Sequence, residues 1–158
     1  MKRLGLFVTA FIGGLVSLAL ELAAGRLLAP AFGTTELTWS AIIGMILLYM
    51  SVGYAVGGRW ADRRPHAATL YTLLAAAGGT IIAIPLASQP LLRVAARGMQ
   101  TFSLGLLVGP FLAILALFAI PVTLLACVSP FAVRLALKDV SKSGGTIGWF
   151  TAVSTLGS

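Results

Sequence analysis

Leu4–Leu28 reads LGLFVTAFIGGLVSLALELAAGRLL, with one acid, Glu21, and one base, Arg26, in an otherwise apolar run. About 20 apolar residues suffice to cross a bilayer as a helix, so this stretch predicts a transmembrane span. A carboxyl group in hydrocarbon costs about 3 kcal/mol or more unless it is paired or neutral, so Glu21 needs compensation. Arg26 is the nearest base, but five residues along a helix is about 140° around its axis, and the two do not share a face. Glu21 is instead expected to meet a second helix, at Ser40, Tyr49 or Tyr54. Two roles stay open for it. One is a cation or proton site in the outer half of the membrane. The other is a structural hydrogen bond between helices, or a permanently protonated carboxyl. Arg26 sits near the outer end of the span, where its long side chain can snorkel to water.

The rest of the chain repeats the apolar pattern. Hydrophobic residues make up 59% of the 158 and charged ones 9%, well below the ~25% of soluble domains. The mean hydropathy of +1.02 agrees. Apolar runs of this length must span as helices, and the two-residue alternation of a β-barrel is absent. The fold class is therefore all-α: a polytopic helical membrane protein with four full transmembrane spans and the start of a fifth. The spans are expected at about 4–28, 38–56, 67–86, 104–128 and, incomplete, 145–158, as one transmembrane domain. Residues 87–103 contain Pro90, Arg93 and Arg97 among Leu and Val, and read as an outer loop with an interfacial amphipathic helix. Pro110, Pro121 and Pro130 are expected to bend or break the fourth span. Met1-Lys2-Arg3 before an apolar run resembles a secretory signal, but the run exceeds a signal's hydrophobic region and further spans follow. The final run reaches Ser158 without a polar flank, as expected of a fragment, or of a short helix shielded by a partner.

The net charge of +7 would suggest nucleic acid in a soluble protein. Here the basic residues cluster in short loops, which predicts orientation and contact with anionic lipid instead. With the N-terminus cytoplasmic, Lys2, Arg3, Arg59, Arg63, Arg64, Arg134, Lys138 and Lys142 lie inside, against Arg93 and Arg97 outside. That bias places the N-terminus in the cytoplasm of a multi-pass inner- or plasma-membrane protein, expected to be bacterial.

Few residues carry chemistry. Cys127 is the single cysteine and excludes an internal disulfide. No metal-ligand cluster, Ser/His/Asp set, P-loop or dinucleotide turn is present, so no enzyme activity, catalytic residue, metal or other cofactor is expected of these residues. The small-residue pairs Gly53/Gly57, Gly105/Gly109 and Gly144/Gly148, each four apart, permit close helix approach. Pro130 with Arg134 marks a possible helix bend beside a charge. Gly58, Asp62, Arg63 and Arg64 form a loop motif, G-x-x-x-D-R-R, in which Asp62 can accept bonds from an Arg or a helix N-terminus. This motif resembles the start of the cytoplasmic loop after the second helix of major facilitator transporters.

A longer series of features resembles the transmembrane region of fused spermidine-synthase-like membrane proteins. It comprises Glu21-Leu22-Ala23-Ala24-Gly25-Arg26-Leu27-Leu28-Ala29-Pro30, then Phe32-Gly33-Thr34, Trp39, Gly53-Tyr54 and Gly57-Gly58-Arg59-Trp60-Ala61-Asp62-Arg63. Pro121 with Leu124-Leu125, then Ser129 to Leu135, Gly148 and Ser154 to Ser158 continue it in order. The resemblance implies a membrane-embedded helical domain that, in the family, is often followed by more helices and a soluble aminopropyltransferase-like domain. That soluble domain, with its nucleotide site and catalytic aspartates, is absent from these residues, and Ala126 stands where the resemblance implies glycine. Architecture carries over. The link to polyamines is one of association.

Three functions follow as expectations. The chain is the membrane domain of a spermidine-synthase-like protein, serving as an anchor or handling a small cation such as a polyamine. Alternatively it is a small accessory subunit packed against a larger membrane complex. The third reading is a half-size major-facilitator-like transporter acting as an oligomer. Expected partners are membrane lipids and other membrane chains, in homo- or hetero-oligomers, and not nucleic acid.

Overall fold

The computed structural model describes residues 3–101, 105–137 and 143–158, with side-chain surroundings given for 4–93, 109–137 and 143–158. These residues form five helices: α1 (Arg3–Phe32), α2 (Glu36–Arg63), α3 (Ala67–Thr101), α4 (Gly105–Ala136) and α5 (Ser143–Gly157). Four of them are long and apolar enough to cross a membrane, and together they form an all-α bundle. At 15 residues, α5 is about 22 Å long, short of the ~30 Å hydrocarbon core.

Local chemistry sets the turns. Gly33 has φ +75°, a left-handed conformation that suits glycine, and its N–H bonds Ala29 O at 2.9 Å to close α1. Thr35 then caps α2, its hydroxyl accepting from Thr38 N at 3.3 Å, with Glu36 in the first turn where an acid suits the helix dipole. At the other end Arg64 N–H bonds Trp60 O, and Pro65 stops further helix.

The observed helices run further than the expected spans. The stretch between the expected second and third spans, which carries the expected loop motif, is helical through Arg63, so Gly58, Asp62 and Arg63 lie on the last two turns of α2 and Arg64 on its cap. Gly57 suits that helix because α4 packs closely against it, whereas Gly58 has open space beside it. The expected outer loop at 87–103 is replaced, as far as Thr101, by a continuation of α3 through Pro85 and Pro90. A proline removes one N–H per ring but does not forbid helix where neighbouring groups absorb the loss. Ser88, buried in this stretch, donates from Oγ to Pro85 O at 2.9 Å. In the same way α4 is unbroken through Pro110, Pro121 and Pro130. Phe102, Lys138, Asp139 and Lys142 lie outside the described residues, as do Lys2, the side chain of Arg97 and the surroundings of Gly105.

Contacts fix the directions. Gly25 meets Trp39 and Ser17 meets Met50, so α1 and α2 are antiparallel. Gly53 meets Thr123 and Ala126, and Gly57 meets Cys127, so α2 and α4 are parallel. Phe7 stacks on Phe150 with ring centroids 4.5 Å apart, and Gly14 meets Ser154, so α5 runs parallel to α1. The α2–α4 seam is the tightest. Buried Cys127 there approaches Gly53 O with its sulfur at 3.2 Å. Gly109 is likewise packed, on Phe32, whereas a Cβ on Gly144 or Gly148 would meet open space among the described residues.

Burial places α4 at the centre: 56% of its most apolar window is buried, against 22–33% in the other three long helices. One core forms around Leu28, Ile42, Ile114 and Phe118. A second forms around Leu70, Phe131 and Phe150, at the end of the bundle where α1 begins. The outer faces expose Leu4, Ile82, Leu86, Ile120 and Trp149, an apolar coat that suits lipid and not water.

Candidate functional site: a hydroxyl-lined cavity

Four helices leave a cavity of about 600 Å³ near the end of the bundle where α1 begins. That is within the ~300–1,000 Å³ of small-molecule sites. Each wall is a helical face. On α1 the wall includes Thr9, Gly13 and Ser17, spaced by four, with Ala10 and Gly14 beside them. On α2 it includes Met50, Tyr54, Gly58 and Asp62, again by four, with Ala61. On α4 it includes Ser129, Pro130 and Arg134. On α5 it is Ile147, Thr151, Ser154 and Thr155, continued by Ser158 just past the helix end; the spacing i, i+4, i+7, i+8 and i+11 is one side of a helix. Small residues on α1 and hydroxyls on α5 make this interface both close-packed and polar.

The cavity's polar groups are incompletely satisfied by the protein. Thr9 donates to Gly5 O at 2.9 Å, and Ser17 reaches Met50 Sδ at 3.8 Å, a weak contact. Among the described residues, the hydroxyls of Tyr54, Ser129 and Thr151 make no hydrogen bond. Pro130 has no N–H, so the carbonyl of Ala126 one turn earlier lacks its helical donor, and both residues line the cavity.

Asp62 and Arg134 meet at the cavity wall, Arg134 Nε lying 3.3 Å from Asp62 Oδ1. No hydrogen bond between them accompanies the approach. With side-chain exposures of 43% for Arg134 and 74% for Asp62, the pair contributes at most about 1 kcal/mol. The fold thus unites two features that are separate in the sequence, the acid of the G-x-x-x-D-R-R motif and the base after Pro130. Gly58 and Pro130 join them in the wall, while Arg63 and Arg64 are exposed outside it. Arg59, Arg63, Arg64 and Arg134 all lie at the end of the bundle where α1 begins.

Glu21 is half-buried on α1, one turn beyond Ser17, and does not line the cavity. It makes no hydrogen bond or ion pair among the described residues. Arg26 is exposed and unpaired with it. Of the three partners expected for Glu21, Ser40 is exposed, Tyr54 lines the cavity, and Tyr49 is buried with its hydroxyl unbonded. Among the described residues no group of His, Cys, Asp and Glu is placed to hold a metal ion.

The α5 hydroxyl face escapes a reading by motifs. Its signal is the i, i+3, i+4, i+7 spacing of Thr151, Ser154, Thr155 and Ser158, visible in the sequence only once that run is taken as a helix. The chain matches no protein-family model, no curated protein and no solved structure.

Proposed function

We propose that this chain is a non-enzymatic, multi-pass membrane domain that holds a small polar solute in the cavity between α1, α2, α4 and α5. The observation that carries this reading is the wall of hydroxyls, of which three make no hydrogen bond among the described residues. Tyr54 and Thr151 are exposed and Ser129 is half-buried, so these hydroxyls are free to bond water or a solute in the cavity. The clustering of Arg59, Arg63, Arg64 and Arg134 at one end supports placing that end, with the N-terminus, in the cytoplasm of an inner or plasma membrane. The cavity then opens toward the cytoplasm. The ordered resemblance to spermidine-synthase-like membrane regions supports the same architecture, and the polyamine link rests on that resemblance alone.

Thiol labelling tests the reading. In a Cys127→Ala background, single cysteines at Ser129 and Thr151 should react with a small, charged, membrane-impermeant reagent in opened vesicles. A cysteine at Ile120, which is 63% exposed on the outer face of α4, should not. Unreactive cysteines at both cavity positions would mean a dry, closed cavity and would end the solute reading.

One observation favours a second reading, packing against another membrane chain. Glu21 is half-buried at membrane depth and makes no ion pair within the described chain. A carboxyl group so placed is stabilised by a donor from a neighbouring helix. Glu21→Gln should then reduce co-purification of a partner chain while leaving cavity labelling unchanged. Unaltered co-purification would remove Glu21 from any interface.

A further inference from the structure

We infer that the cavity takes a zwitterionic solute, one carrying an ammonium and a carboxylate a few bonds apart, with Arg134 receiving the carboxylate and Asp62 the ammonium. The inference rests on the solute reading of the cavity and adds the chemical class.

The argument is one of charge balance. The described lining residues include one acid, Asp62, and one base, Arg134. The remaining polar lining is hydroxyl and backbone. A solute with one net charge would pair with one member and leave the other exposed to a like charge. An uncharged solute gains nothing from either. A zwitterion replaces one ion pair with two, and the cavity stays neutral throughout.

The geometry suits the exchange. The Asp62–Arg134 approach is a 3.3 Å contact between Nε and Oδ1 without a hydrogen bond, so neither group is locked into the other. A guanidinium presents five N–H donors in a planar fork matched to a carboxylate, and Asp62 has a second oxygen to accept from an ammonium. Both side chains are substantially exposed, which keeps the cost of parting them low. The unbonded hydroxyls of Tyr54, Ser129 and Thr151 can hold the solute's remaining polar atoms.

The test uses three probes of similar size, L-serine, ethanolamine and L-lactate, which carry both charges, the positive one and the negative one. Binding is measured by isothermal titration on the full chain in lipid nanodiscs. L-Serine should bind at least about tenfold more tightly than either singly charged probe, a difference of about 1.4 kcal/mol. Asp62→Asn leaves Arg134 unpaired and should shift the preference toward L-lactate. Arg134→Gln should shift it toward ethanolamine, and Arg134→Lys, which keeps the charge, should retain the preference for L-serine. A pair with a purely structural role would produce no such opposite shifts. Equal binding of the three probes overturns the inference, as does tighter binding of a singly charged probe or no binding of L-serine at millimolar concentration. In each case reactive cysteines at Ser129 and Thr151 would leave the solute reading standing, and unreactive ones would remove both.

Discussion

Gly57→Ala is expected to destabilise the bundle by about 1–3 kcal/mol, while Gly58→Ala, one residue later on the same helix, stabilises it slightly. A Cβ at Gly57 would stand 2.6 Å from Cys127 Cα and 2.9 Å from its Cβ. The obstacle is largely backbone, so α2 and α4 would have to separate. At Gly58 a Cβ meets nothing within 4 Å. There the substitution only relieves the entropic cost of glycine in a helix interior, about 0.5–1 kcal/mol. The measurement is unfolding of the purified chain in mixed micelles by SDS titration. Effects of the same sign at both positions would mean that α2 and α4 do not meet at this seam. Gly53→Ala should behave like Gly57→Ala, because its Cβ would collide with Ala126 and with the carbonyl of Thr123. It would also disturb the 3.2 Å approach of the Cys127 sulfur to Gly53 O.

The second large effect is expected at the junction of α1 and α5. A Cβ on Gly14 would run into the carbonyl oxygen of Ser154, and one on Gly157 into that of Phe11. Neither clash involves a movable side-chain end, so Gly14→Leu should lever α5 off α1. The loss includes the Phe7–Phe150 stack, at 4.5 Å between centroids, and the α5 wall of the cavity. Cysteines at Phe7 and Phe150, in a Cys127→Ala background, should cross-link with a short bifunctional thiol reagent. Gly14→Leu should abolish the cross-link. Gly5→Leu, on the same helix where a Cβ meets nothing within 4 Å, should preserve it. A cross-link that survives Gly14→Leu would place α5 elsewhere.

These two seams show where sequence reading works and where it stops. The small-residue pair Gly53/Gly57 is visible as a spacing and does mark a helix contact. Gly144/Gly148 has the same spacing and faces open space among the described residues, because a glycine pair permits close approach without supplying a neighbour. Prolines mislead in the opposite direction. Pro90 suggests a loop, and the helix runs through it as through Pro85, since a missing N–H is a local loss beside the helical bonds around it. Glu21 stands out in the sequence as the one acid in an apolar run, yet the polar groups that gather in space are Asp62, Arg134 and the hydroxyls of α5.

The sequence by itself determines that this is an all-α chain with four helices able to cross a membrane. Hydropathy over twenty residues is a local property, and a backbone in hydrocarbon has to satisfy itself within its own helix. It also determines the turns at Gly33 and Pro65, where one residue's backbone limits decide the outcome. Only the tertiary structure decides that α4 is central, that α5 lies parallel on α1, and that Asp62 meets Arg134 in the wall of a cavity. Each of these depends on how side chains from separate helices fill or fail to fill a shared space. That matching is a property of surfaces brought together by packing, and no single stretch of the chain contains it.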